Sequence, residues 1–509
     1  MARQRERPKV QEPAAERIIG GVATSNTAFV GRALRGPIDE PVTISSSVDF
    51  ERIFGGLWSG SHLGYSVRDF FRLGGSAAII VRVHQEAPAD VASLVVGAGA
   101  TQLTLEAASP GAWGSQLSAV IDDDEVNPND STLFNLTVVD DATHKVEIYR
   151  EVSIAPGSRR RVDAIVEQQS SLVRIPGALP SAFGQLPLRA AASDGNDGAP
   201  LGAINFTTGA GLAAQGRGLY ALDRAGSINL IVIPPYTGRG DVEDQVIADT
   251  IEYATRRGAI LIMDPPSSWT GPAEAIDGAA APAFPVSSHA AVYYPRIRQT
   301  DPTGGDALVT FAPSGAVAGV IARTDILRGV WKAPAGVAAS LDGVSELSAQ
   351  LSADEIDELS QLGVNCFNAI PAAGHVIWGA RTREGADRLD SEWKYLQVRR
   401  TALFIETSLQ RGTRWVASER NGEATWSQIR DSVEAFMDSL FRQGAFAGPT
   451  PKEAYFVKCD AETTTEQDIA DGMVKVVVGF APLKPAEFVV LELQQKAGRA
   501  TRSRWRRNR

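Results

Sequence analysis

Residues that could perform chemistry are few and scattered in this 509-residue sequence. Its five histidines stand apart from one another and form no His-x-x-x-His pair: His62, His84, His144, His289 and His375. The two cysteines, Cys366 and Cys459, are far apart and form no Cys-x-x-Cys. Metal sites and activated nucleophiles need such groups at short, fixed spacings. We therefore predict no catalytic residue, no metal and no cofactor, and we interpret both cysteines as buried thiols of a reducing compartment.

Three short motifs invite a chemical interpretation. Gly209–Ala214, "GAGLAA", matches the dinucleotide-binding pattern, but a polar "NFTT" precedes it, so we favour a glycine-rich turn. Asp194 and Asp197 in "DGNDG" lack the spacing of a calcium loop, which favours turn chemistry. Lys332 stands between tryptophan, proline and glycine with no acid or base beside it. We interpret it as a loop residue.

Composition indicates ordinary globular protein. The chain is 44% hydrophobic and 22% charged, and its length favours about three domains. The longest apolar runs, such as Ala77–Val81, fall far short of the ~20 residues that span a bilayer. The polar N-terminus has no apolar stretch of a signal peptide. We expect synthesis and assembly in the cytoplasm and no membrane insertion.

Charge is distributed unevenly along the chain. The net charge is −10, yet residues 496–509 carry +7 and residues 1–17 carry +2, so the segment between them is strongly acidic. A nucleic-acid site needs a basic stripe on a folded face, whereas this is a short terminal run with a single aromatic residue, Trp505. We favour solvated or subunit-contacting arms over nucleic-acid binding.

Patterning predicts a multidomain α/β and α+β chain. Residues 229–265 read as strand, helix and strand, which is a parallel βαβ unit. Residues 426–440 carry an apolar stripe at spacings of three and four, and Trp393, Leu396, Leu403 and Phe404 form another. The segments expected in chain order are an arm (1–17), the first part of an α/β domain (18–86), a β-rich insertion (87–187), the rest of the α/β domain (188–375), a C-terminal α+β domain (376–485), and a strand with a basic tail (486–509).

The last strand raises the question of its partner. Val489, Leu491 and Leu493 alternate with Phe488, Val490, Glu492 and Gln494, as period two requires of a half-buried strand. An unpaired strand promotes aggregation unless a sheet accepts it. It either completes its own domain or is given to a neighbouring subunit.

Several of these segments resemble the contractile tail sheath family of myophages, R-type tailocins and extracellular contractile injection systems. The resemblance runs in family order from Ile18 to Gln495, and only the insertion is unmatched. The stretches that carry it include "YSVRDFFRLGGSAAIIVRV", "APSGAVAGVIARTDILRGVWKAPAG", "GVNCFNAIPAAGHVIWGARTRE", "EWKYLQVRRTALFIETSLQRGTRWV" and "VGFAPLKPAEFVVLEL". Two positions depart from the family: the usual "PGVYVEE"-like first strand is missing, and Ser418–Asn421 reads "SERN" in place of "FEPN".

The resemblance implies a fold and a function. It implies a subtilisin-like α/β domain without a protease triad, a variable outer insertion, and a C-terminal domain against an inner tube. Family subunits stack as hexameric rings and exchange terminal strands with neighbours, which would place residues 488–493 in an inter-subunit sheet. Partners would be other copies of the chain, the tube, the baseplate and the terminal cap, in a phage tail or similar particle assembled in the bacterial cytoplasm.

Two further expectations complete this interpretation. Tube contact is expected on the acidic segment that contains Glu462, Glu466, Asp468 and Asp471. The alternatives are a static tube or capsid subunit and, least favoured, a hydrolase.

Overall fold

The structure is a computed structural model that describes residues 17–127, 130, 132–238, 240–371, 373–483 and 489–496. The chain divides into two compact units. The larger contains residues 25–327 and 333–396; the smaller contains, among the described residues, 17–24, 328–332, 397–483 and 489–496. No helix in the described part of the chain is long and apolar enough to cross a membrane.

The larger unit begins with elements that frame its main sheet. They are β1 (Thr27–Gly31), β2 (Val42–Ile44), α1 (Ser47–Phe54), α2 (Leu63–Arg72) and β3 (Ala78–Arg82). Helix α1 starts at Ser46, whose hydroxyl accepts the Asp49 backbone N–H, and it stops at Gly55 in the left-handed conformation.

After an insertion, the larger unit continues to residue 396. Its helices are α4 (Ala203–Phe206), α5 (Leu212–Gln215), α6 (Asp244–Arg257), α7 (Pro272–Ala280), α8 (Ser314–Arg328) and α9 (Ala353–Gln361). Its strands are β11 (Leu230–Val232), β12 (Ile260–Met263), β13 (Ala290–Tyr294), β14 (Ile297–Asp301), β15 (Ala307–Phe311), β16 (Glu346–Leu347), β17 (Val364–Ile370) and β18 (Gly374–Trp378).

Eight strands form the main sheet in the order β18-β17-β13-β12-β11-β1-β3-β2. The six inner strands are parallel, and the two edge strands run antiparallel to their neighbours. Every residue of β1, β3, β11, β12 and β13 is buried, which explains why these strands read as continuous apolar runs rather than as alternation. The predicted βαβ unit, β11-α6-β12, is confirmed, and α6 ends at Gly258 with φ 65°.

The insertion folds as two antiparallel sheets around a core of its own. Its elements are β4 (Ser93–Val96), β5 (Leu103–Ala107), β6 (Leu117–Asp122), β7 (Leu133–Asp140), β8 (Lys145–Ser153), α3 (Val162–Gln169), β9 (Val173–Arg174) and β10 (Leu188–Ala191). The sheet orders are β4-β5-β9 and β10-β6-β7-β8. Strand β10 pairs with β6, so the expected end of the insertion at Pro187 falls four residues short.

A buried arginine joins the insertion to the main sheet. Arg82, at the end of β3, is 1% exposed. Its guanidinium donates to the carbonyls of Ala33 (3.1 Å), Leu34 (3.3 Å) and Gly36 (2.8 Å) in the loop after β1, and to Pro110 of the insertion (2.7 Å). Burial lowers the pKa of Arg82 to about 10. The side chain therefore stays charged at neutral pH and satisfies four carbonyls at once.

The smaller unit has two long helices, two short helices and one small sheet. Its elements are α10 (Leu396–Gly412), α11 (Glu423–Arg442), α12 (Pro451–Ala454), β19 (Tyr455–Lys458), α13 (Glu466–Ala470), β20 (Met473–Phe480) and β21 (Val489–Lys496). The predicted apolar stripe of α11 is buried. The stripe predicted for the preceding helix needs a correction, because Trp393 lies in a turn before α10 begins.

The Arg82 junction generates a stability prediction. Arg82→Met keeps the apolar stem but leaves four carbonyls without a donor, and each unsatisfied buried group costs about 1–3 kcal/mol. We expect the free energy of unfolding to fall by about 3 kcal/mol or more, measured by denaturant titration. Arg150→Met, at a side chain that is 65% exposed, is the control and should change it by less than ~0.5 kcal/mol. Equal stability of the two variants would contradict the junction.

Candidate assembly surfaces

The most prominent surface for assembly is the edge of the three-stranded sheet β19-β20-β21. Strand β21 is antiparallel to β20 over eight residue pairs, from Met473 opposite Lys496 to Phe480 opposite Val489. No third strand is paired to β21 among the described residues. A strand paired on one side only leaves half of its backbone groups available to another chain.

Helix α11 and its neighbours hold this sheet in place. Along β20, Val474, Val476, Val478 and Phe480 are buried in alternation, as expected for a strand with one face on a core. Phe446 packs against Phe480 with a centroid distance of 5.5 Å. Strand β20 is therefore held in place by its own packing, independently of the strand that pairs with its edge.

Asn421, the last residue of the divergent "SERN" stretch, ties helix α11 to the sheet. Its amide donates to the carbonyl of Met473 at 2.8 Å and accepts from the Trp426 indole N–H at 2.9 Å. The asparagine shared with "FEPN" thus makes both contacts, and they place the start of β20 beside the start of α11.

The structure places the predicted exchange strand in its own sheet. Of the two alternatives left by the sequence, this chain on its own shows the first, with residues 489–493 of β21 beside β20. Phe488 lies outside the described residues. Donation to a neighbouring subunit is a prediction that a single chain does not test.

A second surface is the N-terminal segment of the smaller unit. Residues 17–24 lie along α10: the Val22 N–H donates to the Ser408 hydroxyl at 3.2 Å, and Arg400 donates to the Thr24 carbonyl at 2.9 Å. Arg17 stacks on the Trp415 ring at 3.6 Å and pairs with Glu419 at 2.8 Å. These contacts hold residues 17–24 against α10.

Sequence reasoning missed these contacts between residues 17–24 and α10, which we call the N-terminal clasp. A Cβ at Gly21 would lie 2.9 Å from the Phe404 ring and one at Gly412 would lie 2.7 Å from the Ile19 side chain, so a larger residue at either position would force a neighbour to shift. The contact joins positions about 390 residues apart, so no local pattern pairs them.

The acidic segment expected to meet the tube divides into two kinds of residue. Glu462, Glu466 and Asp471 are exposed. Asp468 caps α13 by accepting from the Thr465 hydroxyl and backbone N–H, and it pairs with Lys475 at 3.1 Å. The Thr465 hydrogen bonds, with Lys475, lower the pKa of Asp468 to about 2. Asp468 thus has a structural partner, and the other three are available to a partner protein.

The motifs considered for chemistry have structural roles. "GAGLAA" forms a turn and the short helix α5 after helix α4, not after a strand. Asp194 adopts φ 61°, which fits turn chemistry, whereas Asp197 accepts the N–H of Ala112, 85 residues earlier, at 2.9 Å and so joins two distant segments. No group of three His, Cys, Asp or Glu that could hold a metal occurs in the described ranges.

Buried titratable groups are held by structural partners as well. His289 bonds to the Ala259 carbonyl at 2.8 Å, and His84 lies 2.8 Å from Asp90. Burial and the charge of Arg296 lower the pKa of His62 to about 4. Cys366 and Cys459 are buried, as predicted, and burial raises the pKa of each thiol to about 12.

Family comparisons identify the fold. The phage tail sheath protein central domain matches residues 225–383, and the phage tail sheath C-terminal domain matches residues 389–496. Together the two matches cover just over half of the chain. This chain belongs to the contractile tail sheath family. The matched C-terminal range ends with strand β21, so the edge strand is part of the sheath domain.

Curated relatives agree over part of the chain. The sheath is 26% identical over 180 residues to the tail sheath protein of Vibrio phage KVP40 and 23% identical over 176 residues to that of Enterobacteria phage T4. These matches cover 35% and 34% of this chain, and each spans about a quarter of the relative.

Solved structures match the sheath over nearly its whole length. The contracted helical sheath of the anti-feeding prophage has a TM-score of 0.57 at 20% identity and covers 97% of this chain and all of its own. The contracted PVC sheath complex gives 0.57 at 19%, over 97% and 98% of the two chains. A sheath tail protein from Listeria innocua gives 0.64 at 13%, over 94% and 96%. The mixed α/β, multidomain fold is therefore that of sheath proteins.

The clasp of the N-terminal segment generates a second prediction. Gly412→Ala places a methyl group against Ile19, and such overpacking costs about 1–3 kcal/mol. We expect the Val22 amide to exchange its hydrogen faster, measured by mass spectrometry on peptides covering residues 17–24. Gly422→Ala is the matched control, because nothing lies within 4 Å of its added Cβ. Unchanged exchange in Gly412→Ala would show that Ile19 does not hold the segment.

Proposed function

We propose that this chain is the sheath subunit of a contractile phage tail or injection machine. It polymerises as stacked hexameric rings around an inner tube and shortens from a metastable extended state to drive the tube through a target envelope. The observation that carries the proposal is the match to both sheath domains, the second of which ends on the edge strand β21.

Strand exchange would join the subunits. The in-chain pairing of β20 and β21 displays an edge and a strand that fit each other over eight residue pairs. Every copy carries the same edge and the same strand, so a neighbour's β21 makes the same hydrogen bonds, as in domain swapping. Strand exchange therefore costs little free energy, and it links each subunit to the next. Such backbone links persist while the subunits rotate as rigid bodies.

In this proposal, contraction is driven by a change of lattice contacts and not by a chemical reaction. Subunits assembled in the extended lattice are kinetically trapped, and new contacts formed in the contracted lattice release free energy. Two of the matched structures are sheaths in the contracted state, which supports the proposal that this sheath also contracts.

The α/β domain acts as a scaffold rather than as an enzyme. A subtilisin-like ancestry follows from the family resemblance, and the buried, structurally bonded histidines support the absence of a protease triad. The hydrolase alternative would require a nucleophile beside a base. Among the described histidines, the polar partners found for His84 and His289 are Asp90 and a backbone carbonyl.

The proposed partners are other copies of this chain, the inner tube, the baseplate and a terminal cap. One matched structure is titled as a baseplate of the anti-feeding prophage. Assembly would take place in the bacterial cytoplasm, without nucleic acid or membrane insertion. A static tube or capsid subunit is the remaining alternative. Electron microscopy of one preparation showing particles of two lengths would support a contractile sheath, whereas a single length under every trigger would favour the static subunit.

The terminal strand provides the third prediction. A chain truncated after Pro485 lacks β21, so each subunit leaves the edge of β20 unpaired, and the lattice should not form. We expect soluble protomers that melt cooperatively in calorimetry and no sheath by electron microscopy. Truncation after Lys496 removes only the basic tail and is the control that should assemble. An unfolded shorter chain would show that β21 belongs to its own domain, and contractile particles from it would exclude β21 as the linker.

The acidic segment provides the fourth prediction. Reversing Glu462, Glu466 and Asp471 to lysine, with Asp468 kept because it caps α13, should spare polymerisation but weaken templating by the tube. Exposed pairs contribute little singly, so we expect a visible defect only in the triple variant. The measurement is the fraction of sheath found on tubes in micrographs. A triple variant that coats tubes normally would remove this segment from the tube interface.

A further inference from the structure

A groove with a volume of about 340 Å³ opens where the insertion meets the α/β domain, within the larger unit. Its wall on the domain side comes from the loop after β1 and from α1. Its other wall comes from the insertion: the residues after β5, the start of β8 and the segment around β9. The volume lies in the range of small-molecule pockets, which is about 300–1,000 Å³.

Four cationic side chains line this groove, and no carboxylate does. They are Arg35 and Arg52 from the domain and Lys145 and Arg174 from the insertion. Ser109 joins them: its oxygen accepts the Gly36 N–H at 3.0 Å, which leaves its hydroxyl hydrogen to donate. The lining therefore presents donors to whatever enters.

Arg35 is the most buried of the four cations. Its side chain is 11% exposed, and one terminal nitrogen donates to Asp140 at 3.2 Å. Its Nε is buried and has no hydrogen-bond partner among the described residues. That nitrogen is enclosed by protein and does not face solvent, and the guanidinium lies over the Trp113 ring, with its central carbon 5.4 Å from the ring centroid. Arg35 therefore contributes positive charge to the wall of the groove.

Each of the four cations has one carboxylate within 3.6 Å, and three of these carboxylates also accept hydrogen bonds from nearby residues. Asp140 accepts from Ala142, Thr143 and the Thr143 hydroxyl, and Asp49 accepts from Ser45 and Ser46 at the start of α1. Glu147, 3.6 Å from Lys145, accepts from Ser170, Ser171 and Tyr149. Glu167 completes the set, 3.5 Å from Arg174, and is 70% exposed. Each lining cation therefore has one acidic neighbour, and two of them have further partners: Arg174 donates to the backbone carbonyls of Ser170 and Val173 at 2.8 Å, and Lys145 donates to the Ser171 hydroxyl.

We propose that this groove binds a phosphate group, either as free phosphate or as the phosphate ester of a small polar molecule. Guanidinium groups match the oxygens of phosphate better than a point charge does, and three of the four cations are arginines. The volume has room for a sugar-sized body beside the phosphate. A bound phosphate would bridge the two walls and stiffen the attachment of the insertion, independently of whether the sheath contracts.

The test is calorimetric titration of the full chain with inorganic phosphate and, separately, with glucose 6-phosphate, in a phosphate-free buffer. Arg52→Gln removes one lining cation that is 63% exposed. Arg150→Gln, on β8 but outside the groove, is the matched control: it is 65% exposed and likewise has one acidic neighbour, Glu125 at 3.6 Å. We expect saturable binding by the unsubstituted chain, weakened about tenfold or more by Arg52→Gln and about unchanged by Arg150→Gln.

A second measurement does not depend on any substitution. Phosphate should slow amide exchange together in residues 35–36 and 170–174, two segments that line the groove. Tighter binding of one probe than of the other tells free phosphate from a phosphate ester and supports the proposal in either case. Failure of both probes to saturate, equal loss in the two variants, or binding of an oligoglutamate peptide in place of phosphate would overturn it. None of these outcomes bears on contraction, which micrographs measure separately.

Discussion

The edge of strand β20 is the constraint on which the rest of the smaller unit depends. Backbone N–H and C=O groups along Met473–Phe480 must be paired, and in the described chain β21 pairs with all eight residues on one side, whereas β19 pairs with Val477–Phe480 on the other. The Asn421 amide before helix α11 and the packing of Phe446 on Phe480 hold β20 in place. An edge that pairs with the chain's own strand has the backbone pattern to pair with the same strand of another copy, and the proposed lattice rests on that equivalence.

The N-terminal segment also needs hydrogen-bond partners for its backbone. Residues 17–24 have no sheet to join, so their backbone is satisfied by side chains of α10, and Arg17 closes the clasp on Trp415. The contact depends on two glycines that admit Phe404 and Ile19.

In the larger unit, arginine side chains join segments that are distant in sequence. Arg82 donates to carbonyls of both the loop after β1 and the insertion, and each cation of the neighbouring groove has an acidic neighbour. Of the described histidines, His62, His84 and His289 are buried and His144 is exposed, and both cysteines are buried. Charge in this protein serves to join segments.

Periodicity and composition by themselves determined much of this protein. The βαβ unit, the apolar stripe of α11, the buried thiols and the turn role of Asp194 follow from local rules, because each depends on residues close together in sequence. Motif order also placed the chain in its family. Tertiary structure decided the contacts between distant segments: β10 joins a sheet whose first strand lies some 70 residues earlier, and Asp197 bonds to Ala112, 85 residues before it. The N-terminal clasp, the Arg82 junction and the phosphate groove each bring together residues from distant segments. Long-range packing, which no local pattern encodes, is the physical reason that they could not be predicted.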